Sequence, residues 1–225
     1  MSEVKFQRLP AEQLFQNEID ALIKEEKYAV PTGWRMSPRS VLKYICGGMA
    51  GKTEIIPKYI GNERLIEIAI STLVTDRALL LIGEPGTAKS WLSEHLAAAI
   101  NGNSTRVIQG TAGTTEEQIR YSWNYAMLIA DGPSKEAMIT SPIYRAMEEG
   151  AIVRVEEISR CASEVQDALI SLLSDNSYNR NTHIFKTPPY KYAFYFTHIS
   201  SLCQVFYVFL CNIFGNIIIF LKKNS

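Results

Sequence analysis

The chain has 225 residues, with 23 Lys and Arg against 23 Asp and Glu and 47% hydrophobic residues, which suits one ordinary domain, or a domain with a short appendage, around a sizeable core. Its zero net charge is uneven: no acid follows Asp175, whereas Arg180, Lys186, Lys191, Lys222 and Lys223 do, and no basic stripe precedes them, so nucleic acid is not indicated as a partner. Cys46, Cys161, Cys203 and Cys211 form no C-x-x-C pair, which argues against a zinc site or a disulfide framework, and the opening MSEVKFQRLP lacks the apolar core of a signal peptide, so the first 177 residues are expected in a reducing cytoplasm.

Phe15, Ile19, Leu22 and Ile23 recur at helical spacing and predict an amphipathic helix from Ala11 to about Ala29. Pro31 and Gly33 break the pattern. Ser37-Pro38 caps a second helix through Cys46, and Gly47-Gly48 stops it. Residues 1–54 therefore read as a helical N-terminal extension, which packs on the remainder of the chain or contacts a neighbour. The turn IIPKYIG, Ile55 to Gly61, offers Ile56, Tyr59 and Ile60 either to an adenine base or to the core, and precedes a helix from Glu63 to about Thr75.

LLLIGEPGTAKS, Leu79 to Ser90, reads as a buried strand, a glycine-rich turn and a helix, the arrangement of a phosphate-binding loop. Gly83, Glu84, Pro85, Gly86, Thr87 and Ala88 can turn their amides onto an anion, with the positive end of the next helix behind them. Lys89 brings a mobile charge to the outer phosphates, the Ser90 hydroxyl can ligate Mg²⁺, and Trp91 follows at the nucleotide's side. Ala88 stands where the general pattern has Gly, and fits if its backbone is right-handed.

The helix after the loop carries Leu92, His95, Leu96, Ala99 and Ile100 and ends at Asn101-Gly102, a left-handed cap. His95, His183 and His198 are dispersed and read as packing or surface residues. A second strand, Thr105 to Gln109, leads to a capping box, Thr115-x-x-Gln118. Between Tyr121 and Thr140, Trp123, Tyr125, Met127 and Ile129 alternate like a hairpin with its turn at Asp131-Gly132. Ser141-Pro142 caps a helix closed by Gly150.

The third strand, Ala151 to Val155, runs into Glu156-Glu157. In a parallel sheet the strand ends share one rim, so the pair would face the phosphates across a crevice. Glu156 can hold the metal's water shell and Glu157 can deprotonate the attacking water. Arg160, in the turn beyond, reads as an ion-pair residue within the chain, with an intersubunit contact as the alternative. Ser163-x-x-Gln166 is a further capping box, opening a helix with Val165, Leu169, Leu172 and Leu173 on one side.

From about Ile55 to Asn176 the chain resembles the MoxR branch of the AAA+ ATPases and the related dynein-like AAA domains, through IGEPGTAKS, the hairpin-like insert, VEEISR and SEVQDALISLLSD. The resemblance implies an α/β P-loop NTPase with a parallel sheet and flanking helices, ATP with Mg²⁺ as cofactors, assembly into a homo-oligomeric ring, often a hexamer, and chaperone-like remodelling of protein complexes. It assigns phosphate binding to Lys89 and Ser90, the metal-side acid to Glu156 and the water-activating acid to Glu157. It also implies a fourth strand between the first and third, a polar sensor, an arginine finger and a helical lid. Of these, Thr197 alone stands at the sensor's spacing.

Residues 177–225 change character. Seven of the nine phenylalanines lie there, and Tyr192 to Leu221 holds no formal charge. Twelve Leu, Ile, Val or Phe residues between Cys203 and Leu221 favour membrane insertion by about −4 to −7 kcal/mol, so a span over about 199–221 is one expectation. The other is a reading frame lost after Asn176, which leaves the sheet without its fourth strand.

Overall fold

The computed structural model describes residues 8–75, 78–174 and 217–221. The N-terminal segment forms α1 (Ala11–Leu14) and α2 (Gln16–Lys24) in place of one helix, because Phe15 leaves helical geometry at φ −114° and ψ 29°. Its ring instead meets His95 edge-on at 5.2 Å. Helix α3 (Pro38–Cys46) starts as expected, with the Ser37 hydroxyl accepting from the Ser40 amide. Gly47-Gly48 does more than stop it: a hairpin comes next, β1 (Gly48–Ala50) against β2 (Thr53–Ile55), turning through Gly51 at φ +55°.

Helix α4 (Glu63–Val74) leads into β3 (Leu79–Ile82), and α5 (Lys89–Asn101) ends at Gly102 in the left-handed conformation. After β4 (Val107–Gln109), the Thr115 capping box opens α6 (Glu116–Ile119). The expected hairpin is corrected: of its alternating residues only Trp123 lies in a strand, Tyr125, Met127 and Ile129 are helical, and Asp131-Gly132 ends that helix instead of turning a hairpin, because the Asn124 cap starts a helix there. Strands β5 (Tyr121–Trp123) and β6 (Met138–Thr140) pair, and between them α7 (Tyr125–Asp131) is capped by Asn124.

Ser141 caps α8 (Pro142–Glu149), accepting from the Tyr144 amide at 3.0 Å and donating to the Ile119 carbonyl at 2.7 Å, and Gly150 closes that helix. Strand β7 (Val153–Glu156), a 3₁₀ turn (Ile158–Arg160) and α9 (Ser163–Ser174) complete this part of the chain. The first turn of α9 hangs on the Ala162 carbonyl, which accepts from Val165 and Gln166, so the expected Ser163 capping box lies one residue too late.

The central sheet has the order β3-β8-β7-β4, where β8 is Ile217–Leu221. Strands β4 and β7 are parallel, while β8 runs antiparallel to both β3 and β7. Three strands therefore point one way and deliver their ends to one rim. The position expected to stand empty is filled by the tail, in the opposite direction to the fourth strand that the resemblance implied. Of the expected span over 199–221, the final five residues are this strand, and the rest, with Thr197, lies outside the described residues. Among the described residues no helix is long and apolar enough to cross a membrane.

Helices cover both faces of the sheet. Leu79 and Leu81 on β3 join a core built with Ile19, Tyr44, Ile66, Leu73, Leu96 and Ile100, while Ala78 and Leu80 turn to a second core with Ile108, Val153, Val155 and Leu169. This is the period of two that a strand buried on both faces requires. The N-terminal helices belong to the first core, sharing it with α4 and α5.

Candidate functional site

Strand β3 hands the chain to an exposed turn from Gly83 to Ala88, and α5 begins at Lys89. Gly86 takes φ +82°, with nothing within 4 Å of where a Cβ would be. Lys89 Nζ reaches back over the turn and donates to the carbonyls of Gly83 (2.8 Å) and Glu84 (2.5 Å) and to Thr87 Oγ1 (3.1 Å). The ammonium thus lies where the loop wraps, and the free amides of the first turn of α5 begin beside it. Ser90 stands on that turn, exposed.

Ala88 departs from its expected geometry. Its φ of 58° and ψ of 23° are left-handed, the region in which a Cβ crowds the following carbonyl, so the turn keeps the backbone that Gly would have adopted without strain. Glu157 shares the feature at φ 56° and ψ 32°, and these two are the non-glycine residues with positive φ among those described. Such outliers persist where the surrounding structure holds them, and here one lies in the loop after β3 and the other directly after β7, two strands of the same direction.

The cross-strand register locates the acids relative to the loop. Ile219 of β8 pairs with Leu80 on one side and Val155 on the other, so the ends of β3 and β7 stand level, about 10 Å or two strand spacings apart. Glu156 ends β7 and Glu157 begins the turn behind it, both half-buried. Gly110, at the end of β4, donates to the Glu156 carbonyl at 2.7 Å, and a Cβ there would meet the Glu157 carbonyl at 2.6 Å. A glycine is thus required where the two strand ends close on each other.

Glu156 does not stand free. Ile152, Arg154 and Glu156 share the face of β7 that looks onto α5, and Arg154 Nη1 donates to Glu156 Oε1 at 2.6 Å and to Ser93 Oγ at 3.1 Å. Arg154 Nη2 donates to the Ser104 carbonyl at 2.7 Å. Ser93 Oγ also lies 3.3 Å from Glu156 Oε1 and donates to the Ser90 carbonyl at 2.8 Å. The acid is therefore joined through one hydroxyl to the turn carrying Lys89 and Ser90. Burial lowers the pKa of Arg154, and the Glu156 carboxylate opposes that shift.

The residues expected around adenine separate. Trp91 turns inward: its indole Nε1 donates to the Lys58 carbonyl at 2.8 Å, its ring meets His95 at 4.4 Å between centroids, and the Arg8 guanidinium lies 5.0 Å above it. Tyr59 packs against the first core and over Gly61. Ile60 is 93% exposed and Ile56 is also exposed. Arg160, expected to pair within the chain, is exposed and makes no ion pair among the described residues.

Beneath Trp91 lies a buried polar cluster that helical spacing did not reveal. Lys58 donates to Glu18 and to the Ile56 carbonyl at 2.6 Å, with its ammonium over the rings of Phe15 and Tyr44. Tyr44 Oη is 3.0 Å from His95 Nδ1. The basis for Arg154 was present in the sequence, since an R-x-E pair on a buried strand puts the two charges on one face; nothing local announced Lys58.

A strand, a glycine-rich turn and a lysine-led helix, with an acid pair at the end of a second strand of the same direction, define a P-loop nucleotide-binding protein. The family "AAA domain (dynein-related subfamily)" matches residues 78–213, more than half of the chain, and the chain belongs to it, carrying an ATPase-type nucleotide-binding domain. The match extends past Asn176, beyond the last motif that carries the resemblance in the sequence. A relative in Escherichia coli (strain K12), the uncharacterized protein YehL, is 47% identical over 169 residues, which cover 75% of this chain and 46% of that protein. No solved structure matches.

Proposed function

We propose that this chain binds ATP with Mg²⁺ and hydrolyses it, and that a ring of copies uses the turnover to remodel protein complexes. The observation that carries the reading is the common rim: the loop leaving β3 and the acids ending β7 stand level, joined through Ser93. Loop amides and Lys89 bind the phosphates. Ser90 and Glu156 provide the hard oxygen donors that suit Mg²⁺, with Glu156 acting through the metal's water shell because Arg154 holds its Oε1. Bound Mg²⁺ would neutralise charge on the transferred phosphoryl group. Glu157 accepts the proton of the attacking water. The MoxR branch and its chaperone-like work are the finer form of this reading, and the ring is tested by sedimentation with and without ATP.

Turnover and nucleotide binding are measured on the full chain, Lys89→Ala and Glu157→Gln. Lys89→Ala is expected to lose both, and Glu157→Gln to keep binding while turnover falls at least about 100-fold. Binding without turnover in the wild type would overturn hydrolysis and leave a nucleotide-binding interaction module.

A further inference from the structure

We propose that Arg154 is a positioning residue of the nucleotide site, fixing the Glu156 carboxylate against the turn of α5 that carries Lys89 and Ser90. The inference rests on the nucleotide reading above and adds to it a residue outside the phosphate loop and the acid pair.

The fold alone does not call for an arginine here. Its neighbours on β7, Val153 and Val155, are fully buried and apolar, and Arg154 is itself 7% exposed. A buried ion pair is often no better for stability than apolar residues of similar volume, so such a charge in a strand calls for a second role. Here the guanidinium fork spans two elements. One arm meets Glu156 and Ser93, and comes within 3.5 Å of the Ser90 carbonyl, while the other grips the carbonyl of Ser104 ahead of β4.

The strand-end acid is a glutamate, one methylene longer than aspartate and with one more rotatable bond. Unrestrained, its carboxylate would spread over several rotamers at the mouth of the crevice. Arg154 holds Oε1, selecting one orientation and leaving Oε2 to face other donors. A planar fork achieves this better than a point charge, so lysine is a poor substitute.

Two physical roles for Arg154 predict opposite signs. An arginine that orients the carboxylate raises the affinity gained from Mg²⁺, whereas one that merely neutralises it lowers that gain. The test is the Kd of a fluorescent ATP analogue for the full chain, in EDTA and in saturating Mg²⁺, for wild type, Arg154→Met, Arg154→Lys, Glu156→Gln and the Arg154→Met/Glu156→Gln pair.

In EDTA wild type, Arg154→Met and Arg154→Lys are expected within about twofold, since these changes replace no residue of the phosphate loop or the acid pair. The Mg²⁺-dependent gain should fall about tenfold in Arg154→Met, as for the loss of a residue that orients a metal ligand, and by a smaller factor in Arg154→Lys. The paired variant should match Glu156→Gln alone, because Arg154 acts through that carboxylate. Should Arg154→Met fail to fold, Arg154→Lys decides: an undiminished gain overturns the proposal. A gain that is unchanged or larger in Arg154→Met, or a wild type that binds nucleotide with no Mg²⁺ gain, overturns it and leaves nucleotide binding intact. A wild type that binds no nucleotide in either condition overturns the nucleotide reading itself, and this inference with it.

Discussion

Lowering the pH from about 7 to about 5 should weaken the fold through His95. That ring is fully buried, in contact with Phe15 and Trp91, with Nδ1 3.0 Å from Tyr44 Oη and Nε2 buried without a hydrogen bond among the described residues. An imidazolium there would lose water and gain Lys58, Arg8 and Arg154 as repelling neighbours. Burial first, and those cations second, hold its pKa down to about 3 against an ordinary 6.5. The folded value lies below the unfolded one, so on acidification the unfolded chain takes up the proton first. The contribution of a neutral His95 is complete above pH 6.5 and is lost as pH falls through the window down to about 3, by about 1.4 kcal/mol per pH unit. At pH 5 the loss is about 2 kcal/mol. Urea unfolding of wild type and His95→Phe at both pH values isolates it, because other titrating groups contribute equally to the two proteins. Wild type should lose about 2 kcal/mol more than the variant, and equal losses would refute the reasoning.

Three substitutions probe the rest of the molecule. Ala88→Gly removes the left-handed strain in the phosphate loop and should raise stability by about 0.5–1 kcal/mol in urea unfolding; a decrease would mean that Ala88 is not strained. Lys58→Met strands the Glu18 carboxylate in the core and should lose about 3 kcal/mol, most of it recovered by adding Glu18→Leu, whereas a harmless single variant would show that Glu18 finds water. Gly110→Ala puts a Cβ 2.6 Å from the Glu157 carbonyl, so the acid pair must shift. Turnover should then drop about tenfold or more, with nucleotide affinity in EDTA within about twofold, and unchanged turnover would refute a close fit at that rim.

What the sequence disclosed depended on the range of the physical signal. The strand, turn and helix from Leu79 to Ser90, the Ser37 and Ser141 caps and the glycine stops at 102 and 150 each arise from residues a few positions apart, and all appear where expected. Ala88 takes the opposite hand to the one expected because the backbone of the turn is set by wrapping around Lys89, which overrides the preference of one small side chain. The β1–β2 hairpin hid behind a glycine pair that also reads as a helix stop. The Lys58 cluster and the Arg154 anchor join elements far apart in the chain, Glu18 to Lys58 and Arg154 to Ser93 and Ser104, and so left only an isolated charge in an apolar context. The direction of β8 was invisible for the same reason, since apolar alternation does not say which way a strand runs.

That strand bears on how the protein is made. Strand β3 is translated long before residue 217, and until β8 arrives both β3 and β7 present unpaired backbone edges to whatever lies nearby. Closing the sheet joins residues 79 and 220, a contact of long sequence separation that slows folding and lengthens the life of half-built intermediates. A ribosome-bound chain lacking its last few dozen residues would thus carry a phosphate loop beside an open slot. Any short apolar segment, from this chain or another, could compete for that slot before the rightful strand reaches it.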